Sequence, residues 1–310
     1  MSADGSRRAI IAAFLANLGI AVAKFVGFAF TGAASMLAEA VHSVADTANQ
    51  GLLILGARRA RQPPSPQHPF GYGRERYFWS FVVAVVLFTA GGLFALYEGV
   101  EKLRHPHALE SPLWAVGILL VAVVAESLSL RTAVHESRGA KGPGMSWPAF
   151  IRRAKIPELP VVILEDAGAL LGLAFALVGV GLAEITGNPR FDALGSIAIG
   201  VLLALIAATL AIEMKSFLIG EAAAPEEIAK IRRALQATPG VERVVHLRTE
   251  HLGPDELLVA AKIAVDGRAA SADTAAVIDR AEAAVRSEVP EARVIYLEPD
   301  VDRSAPPSAH

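Results

Sequence analysis

Six apolar runs, at residues 9–30, 34–57, 77–100, 112–134, 159–183 and 191–214, dominate the first two-thirds of the chain. A helix needs on the order of 20 residues to cross a hydrocarbon core, and each run reaches that length. The spacing therefore predicts six transmembrane helices. Composition agrees, because 53% hydrophobic residues, 19% charged residues and a mean hydropathy of +0.44 are too apolar for an ordinary soluble chain of 310 residues. Arg7-Arg8 ahead of the first run resembles the start of a secretory signal. The run exceeds the roughly 7–15 residues of a signal core and more runs follow it, so it reads as the first span.

The loops give an orientation. Arg58, Arg59, Arg61, Arg74 and Arg76 lie between runs two and three, and Arg131, Arg138, Lys141, Arg152, Arg153 and Lys155 flank the connection between four and five. The remaining loops carry little positive charge, so the positive-inside rule predicts that both termini and the two basic loops are cytoplasmic; the expected location is the plasma (inner) membrane, crossed several times. A net charge of −2 gives no reason to expect nucleic acid as a partner; the partners expected are the lipid bilayer and small ions. Cysteine is absent, which removes disulfides and thiolate ligands together. Any metal site must use His, Asp, Glu or neutral oxygens.

After Ala224-Pro225-Glu226-Glu227, a helix start with proline and acids in its first turn, the pattern becomes that of a water-soluble module. A helix is expected near 226–237, strands near 241–251 and 257–265 around the turn Gly253-Pro254-Asp255-Glu256, a helix near 272–289 and a strand near 292–297. The predicted fold class is thus an α-helical membrane protein, with six transmembrane helices over 1–220 followed by a small cytoplasmic α+β domain, ferredoxin-like with order αββαβ, over 221–300. Residues 301–310 read as a disordered tail.

A charged side chain inside a span costs roughly 2.5–3.5 kcal/mol on insertion scales, so each one calls for a reason. In run two, Glu39, His42 and Asp46 fall on one helical face, with His42 and Asp46 at i, i+4. An imidazole and a carboxylate one turn apart can reach the same divalent cation at roughly 2 Å. Glu165 and Asp166 lie in run five and Glu126 in run four. Several acids in one bundle repel one another unless a dication or shared protons relieve them. Metal ligation is the reading for His42, Asp46 and Asp166. Glu165 points about 100° around the helix from Asp166, so ligation and pairing with another helix both stand for it. Interhelical hydrogen bonding is the reading for Glu126, and His68, His105 and His107 read as solvated loop residues.

Ala38-Glu-Ala-Val-His-Ser-Val-Ala-Asp together with His68-Pro-Phe-Gly-Tyr-Gly-Arg-Glu resembles the signature of the cation diffusion facilitator family, proton-coupled exporters of divalent metals. The resemblance covers nearly the whole chain. It implies a homodimer, a tetrahedral metal site between spans two and five, and alternating access driven by proton exchange. Zinc is the cargo implied first, with manganese, cobalt or nickel as alternatives, and no prosthetic group is expected. The family often has a second His-x-x-x-Asp or Asp-x-x-x-Asp in span five, whereas Val162 stands four residues before Asp166 here. Leu164-Glu165-Asp166 and Ile185-Thr-Gly-Asn-Pro resemble instead the ninth zinc-transporter subfamily and its bacterial relatives. The fourth ligand is left among Glu165, Glu126, Glu39 and water. Where relatives carry histidines on the cytoplasmic sheet, the matching positions are His246, Lys262 and Tyr296, so no metal is expected there. An intramembrane metalloenzyme would need a general base of the HExxH kind beside the ligands, which the sequence lacks. A membrane-anchored metal sensor would not need acids in two spans.

Overall fold

A computed structural model describes residues 18–106, 112–141 and 144–301. Helix α1 (Leu18–Thr31) turns at Gly32, whose φ of +60° suits glycine, into α2 (Ala34–Arg59). Helix α3 (Glu75–Arg104) passes through a π-helical stretch at Leu87–Leu93, and α4 (Pro112–Ala140) follows. The short α5 (Trp147–Arg153) is capped by Ser146, whose hydroxyl accepts from the Ala149 amide. Helix α6 (Glu158–Thr186) ends at Gly187 in the left-handed conformation, and α7 (Arg190–Ile219) completes the bundle.

Four of these helices are long and apolar enough to cross a membrane: α3, α4, α6 and α7. The expected count of six is not reached among the described residues, for two different reasons. Residues 9–17 of the first run lie outside them. Helix α2 has the length, at 26 residues, but Glu39, His42, Ser43, Thr47 and Asn49 on its buried face lower its apolarity. The helices share a core in which Met36, Leu53, Val83, Leu87, Leu119, Val161, Leu173, Ile199, Leu203 and Leu210 are buried. Small residues set the closest approaches. Gly99 and Gly200 bring α3 against the α7 backbone, where an added Cβ would stand 2.9 Å from Ala193 O and 2.8 Å from Gly92 O respectively.

The chain divides into two compact units, and the division does not follow sequence order. One comprises the described residues up to Arg58 with Arg76–Lys215; the other joins Arg59–Glu75 to the residues from Ser216 on. In the second unit, α8 (Pro225–Ala237), β1 (Arg243–Gly253), β2 (Glu256–Ala264), α9 (Ser271–Glu288) and β3 (Val294–Asp300) follow one another in the expected αββαβ order. Strand β2 is central, antiparallel to β1 and parallel to β3, as the α9 crossover requires. Alternate residues Leu257, Val259, Ala261 and Ile263 of β2 are buried with Ile231 and Leu235 of α8 and Val277, Ala281 and Val285 of α9. This unit therefore has a core of its own.

The segment Arg59–Glu75 is held within the second unit by named contacts. Arg74 pairs with Glu250, and Gly73 lies so close to β1 that a Cβ on it would meet Leu252 O at 2.6 Å. The segment is internally folded as well. Ser65 and His68 exchange backbone hydrogen bonds, the Ser65 hydroxyl is 3.1 Å from the Tyr72 hydroxyl, and the His68 and Tyr72 rings stand 4.6 Å apart. His68 and His105 are exposed, whereas His107 and the tail beyond residue 301 lie outside the described residues.

Candidate metal centre

The polar residues of α2 repeat at helical spacing, which stacks Glu39, His42, Asp46 and Asn49 along one face, with Glu39, His42 and Asn49 buried and Asp46 partly so. His42 is fully buried, with Nε2 3.4 Å from Asp46 Oδ2 and neither ring nitrogen in a hydrogen bond. Gly91, in the π-helical turn of α3, faces it: a Cβ there would stand 3.8 Å from His42 Nδ1. A buried imidazole without a hydrogen-bond partner keeps a nitrogen lone pair for a cation.

Helix α6 contributes the adjacent acids Glu165 and Asp166, and neighbours on two other helices hold them. Asn49 Nδ2 donates to Glu165 Oε1 at 2.7 Å, and the Ser129 hydroxyl of α4 donates to Asp166 Oδ2 at 2.8 Å. Of the two readings left open for Glu165, pairing with another helix is the one seen, through Asn49 of α2, and Glu165 lines the same void as Asp166. That void, bounded by Ser43, Asp46, Gln50, Glu126, Val162, Glu165 and Asp166, has a volume of about 10 Å³, the room for one water or one bare cation. Four carboxylates face it, from three helices. His42 is not part of its wall. Among the described residues, no three His, Asp or Glu side chains are close enough in this conformation to hold a single metal ion.

Sequence reasoning passed over three buried charges. Lys24 of α1 has its ammonium 3.1 Å from Glu39 Oε2 and 2.7 Å from Ser43 Oγ, donating to both. Lys102 of α3 lies 3.2 Å from Asp192 Oδ2 of α7 and donates to Gly32 O at 2.6 Å. Asp192 in turn accepts from the Ala34 amide at 2.8 Å, the Ser35 amide at 3.3 Å and the Ser35 hydroxyl, satisfying the start of α2 from another helix. The insertion cost that singled out His42 and Asp46 applies equally to Lys24, so the signal was present in the sequence.

On the three-stranded sheet, His246 of β1 is the direct cross-strand partner of Lys262 of β2. Lys262 Nζ is 2.8 Å from Glu298 Oε1 and 3.5 Å from Asp300 Oδ2. The hydrogen bond to Glu298 holds the Lys262 ammonium pKa above its usual range. Tyr296 pairs with Ala260 and is exposed.

The model of the cation efflux transmembrane domain matches residues 10–219. The chain belongs to the cation efflux, or cation diffusion facilitator, family. A second model, the cytoplasmic domain of cation efflux proteins, matches residues 223–300 of this cation diffusion facilitator. The human proton-coupled zinc antiporter SLC30A9, mitochondrial, is 38% identical over 246 residues, covering 79% of this chain and 43% of the human protein. Metal tolerance protein C4 of Arabidopsis thaliana is 32% identical, covering 85% and 58%. Magnetosome protein MamB of Paramagnetospirillum magneticum is 25% identical over 286 residues, covering 92% and 90%. This cation diffusion facilitator therefore spans less than half of the human relative. With its apolar helices and its cation efflux domain, it is a multi-pass integral membrane protein of a transporter family.

Proposed function

We propose that the protein is a proton-coupled antiporter exporting divalent cations from the cytoplasm, with zinc as the principal cargo. The observation that carries this reading is the acidic void among apolar helices, bounded by Asp46, Glu165, Asp166 and Glu126, with the unengaged His42 imidazole beside Asp46. His42, Asp46, Asp166 and Glu165 are the ligands in this proposal. A small rearrangement would bring them onto one cation, consistent with a site that opens alternately to two sides. Proton-coupled zinc antiport is what the human relative's name describes, and it suits the chemistry of these donors. Ligands must be deprotonated to bind metal, so cation entry displaces protons, and protons returning from the far side release the cation. Neither a prosthetic group nor a reaction on a substrate is part of this cycle; the cation and the proton are both cargo.

The finer features of the reading are proposals too. Residues 1–220, apart from the Arg59–Glu75 segment, form the transport unit, and 221–300 a cytoplasmic domain through which two copies associate. In this reading both termini are cytoplasmic, which the basic loops favour, and the protein resides in the plasma membrane. An oxygen-rich wall of four carboxylates gives manganese a claim as second cargo, since harder cations prefer such donors.

The experiment is flux into proteoliposomes carrying a pH dye, run with Zn, Mn, Co, Ni and Cd. Zinc entry is expected to drive proton exit, and a gradient acidic on the receiving side is expected to accelerate it. Asp46→Ala and Asp166→Ala are expected to reduce flux to that of protein-free vesicles while still inserting. Wild-type flux in either variant, or zinc affinity that stays flat between about pH 5.5 and 8, ends the assignment of these residues to a proton-linked site.

A further inference from the structure

Lys24 and Glu39 form an ion pair in which both side chains are fully buried between α1 and α2. Desolvation makes such a pair weak evidence for stability, so its position matters more than its existence. Glu39 lies one turn before His42, toward the turn at residues 31–33. Ser43, the second acceptor of the Lys24 ammonium, is also part of the wall of the acidic void. Glu39 keeps its other oxygen, Oε1, buried and without a hydrogen-bond partner. Gly172 of α6 leaves that carboxylate its space, because a Cβ there would collide with it. Lys24 also borders an apolar groove of about 450 Å³ with Ile20, Ala23, Gly117, Ile118 and Val121.

We propose that Lys24 is a tethered competitor of the transported cation, occupying through Glu39 and Ser43 an outer cation station next to His42 and Asp46. The proposal rests on the transport reading above. A dication leaving His42 and Asp46 toward the turn at residues 31–33 meets Glu39 as its next oxygen donor, and takes it only by displacing the ammonium. The return of the ammonium to Glu39 then closes the path behind the cation. While the cation sits at His42 and Asp46, the fixed positive charge of Lys24 weakens its hold, which favours turnover over retention. Lys24 is a positioning residue in this scheme, not a ligand.

The test is Lys24→Met, which removes the competing charge with little change in shape and leaves the Glu39 carboxylate open to the cation. Zinc half-saturation of flux and zinc affinity in detergent are expected to tighten on the order of tenfold, while the maximal rate falls on the order of tenfold. Wild-type affinity and wild-type rate in that variant would reduce the pair to a strut between α1 and α2 and overturn the proposal. A slower rate at unchanged affinity would overturn it too, because a competitor must act on binding. Should Lys24→Met fail to insert, Glu39→Gln decides. It frees the ammonium to face the void and is expected to weaken zinc binding on the order of tenfold, whereas unchanged affinity sinks the idea. A wild type that moves no divalent cation would instead remove the transport reading, and the detergent affinities would still report whether Lys24 competes with zinc.

Discussion

A methyl group on Gly172 would take the space now filled by the Glu39 carboxylate, and the carboxylate is not free to yield because Lys24 holds it from the other side. Gly172→Ala is therefore expected to cost about 1–3 kcal/mol by overpacking. In a Glu39→Ser background the space is already open, and the same substitution should cost little. Thermal melting in detergent of the two pairs gives the coupling directly, and equal losses in both backgrounds would mean that the close approach is not the cause. At this scale the sequence was legible wherever partners share a helix. Spacing alone put His42 and Asp46 together, and they are a pair 3.4 Å apart. It could not join Lys24 to Glu39 or Asp192 to the start of α2, since those partners meet only through the packing of helices 15 and about 158 residues apart in the chain. The hydrogen bonds that orient Glu165 and Asp166, from Asn49 and Ser129, were hidden for the same reason.

Among the elements, α3 and α7 approach most closely where side chains are smallest. Gly200 faces Leu96 and Gly92, with an added Cβ 2.6 Å from Leu96 Cγ and 2.8 Å from Gly92 O, and the Ser196 hydroxyl donates to Ala95 O at 2.8 Å. Gly200→Val would force the backbones apart and is expected to destabilise the bundle by about 3 kcal/mol or prevent its assembly. Gly181 of α6 has nothing within 4 Å of an added Cβ, so Gly181→Ala should be neutral or gain up to about 1 kcal/mol from helix propensity. Similar melting of both variants would refute the contrast. The αββαβ order was legible because each turn carries its own chemistry, from the proline and acids at α8 to the Gly-Pro-Asp-Glu hairpin between β1 and β2. The π-helical stretch was not, since Leu-Phe-Thr-Ala-Gly-Gly-Leu reads as an uninterrupted apolar helix. Its position opposite His42 belongs to tertiary packing.

For the whole molecule, the decisive feature is that Arg59–Glu75 joins the unit that begins at Ser216. A fragment covering residues 216–301 has its own buried core and is expected to fold alone, but it lacks the segment whose Gly73 covers Leu252 and Gly253 and whose Arg74 pairs with Glu250. A peptide of residues 59–75 added to that fragment should raise its melting temperature, and Glu250→Ala should diminish the gain by no more than an exposed pair contributes, about 0–1 kcal/mol. A peptide without effect would show that the contacts do not outlast the covalent link. The chain crosses from one unit to the other three times, after Arg58, after Glu75 and after Lys215. The second unit is thus laced to the first rather than hung from one thread. A protease cut just beyond Ile219 would leave a clasp in two pieces, and a cut among the prolines at 63–64 would sever the lace while the last thread stayed whole.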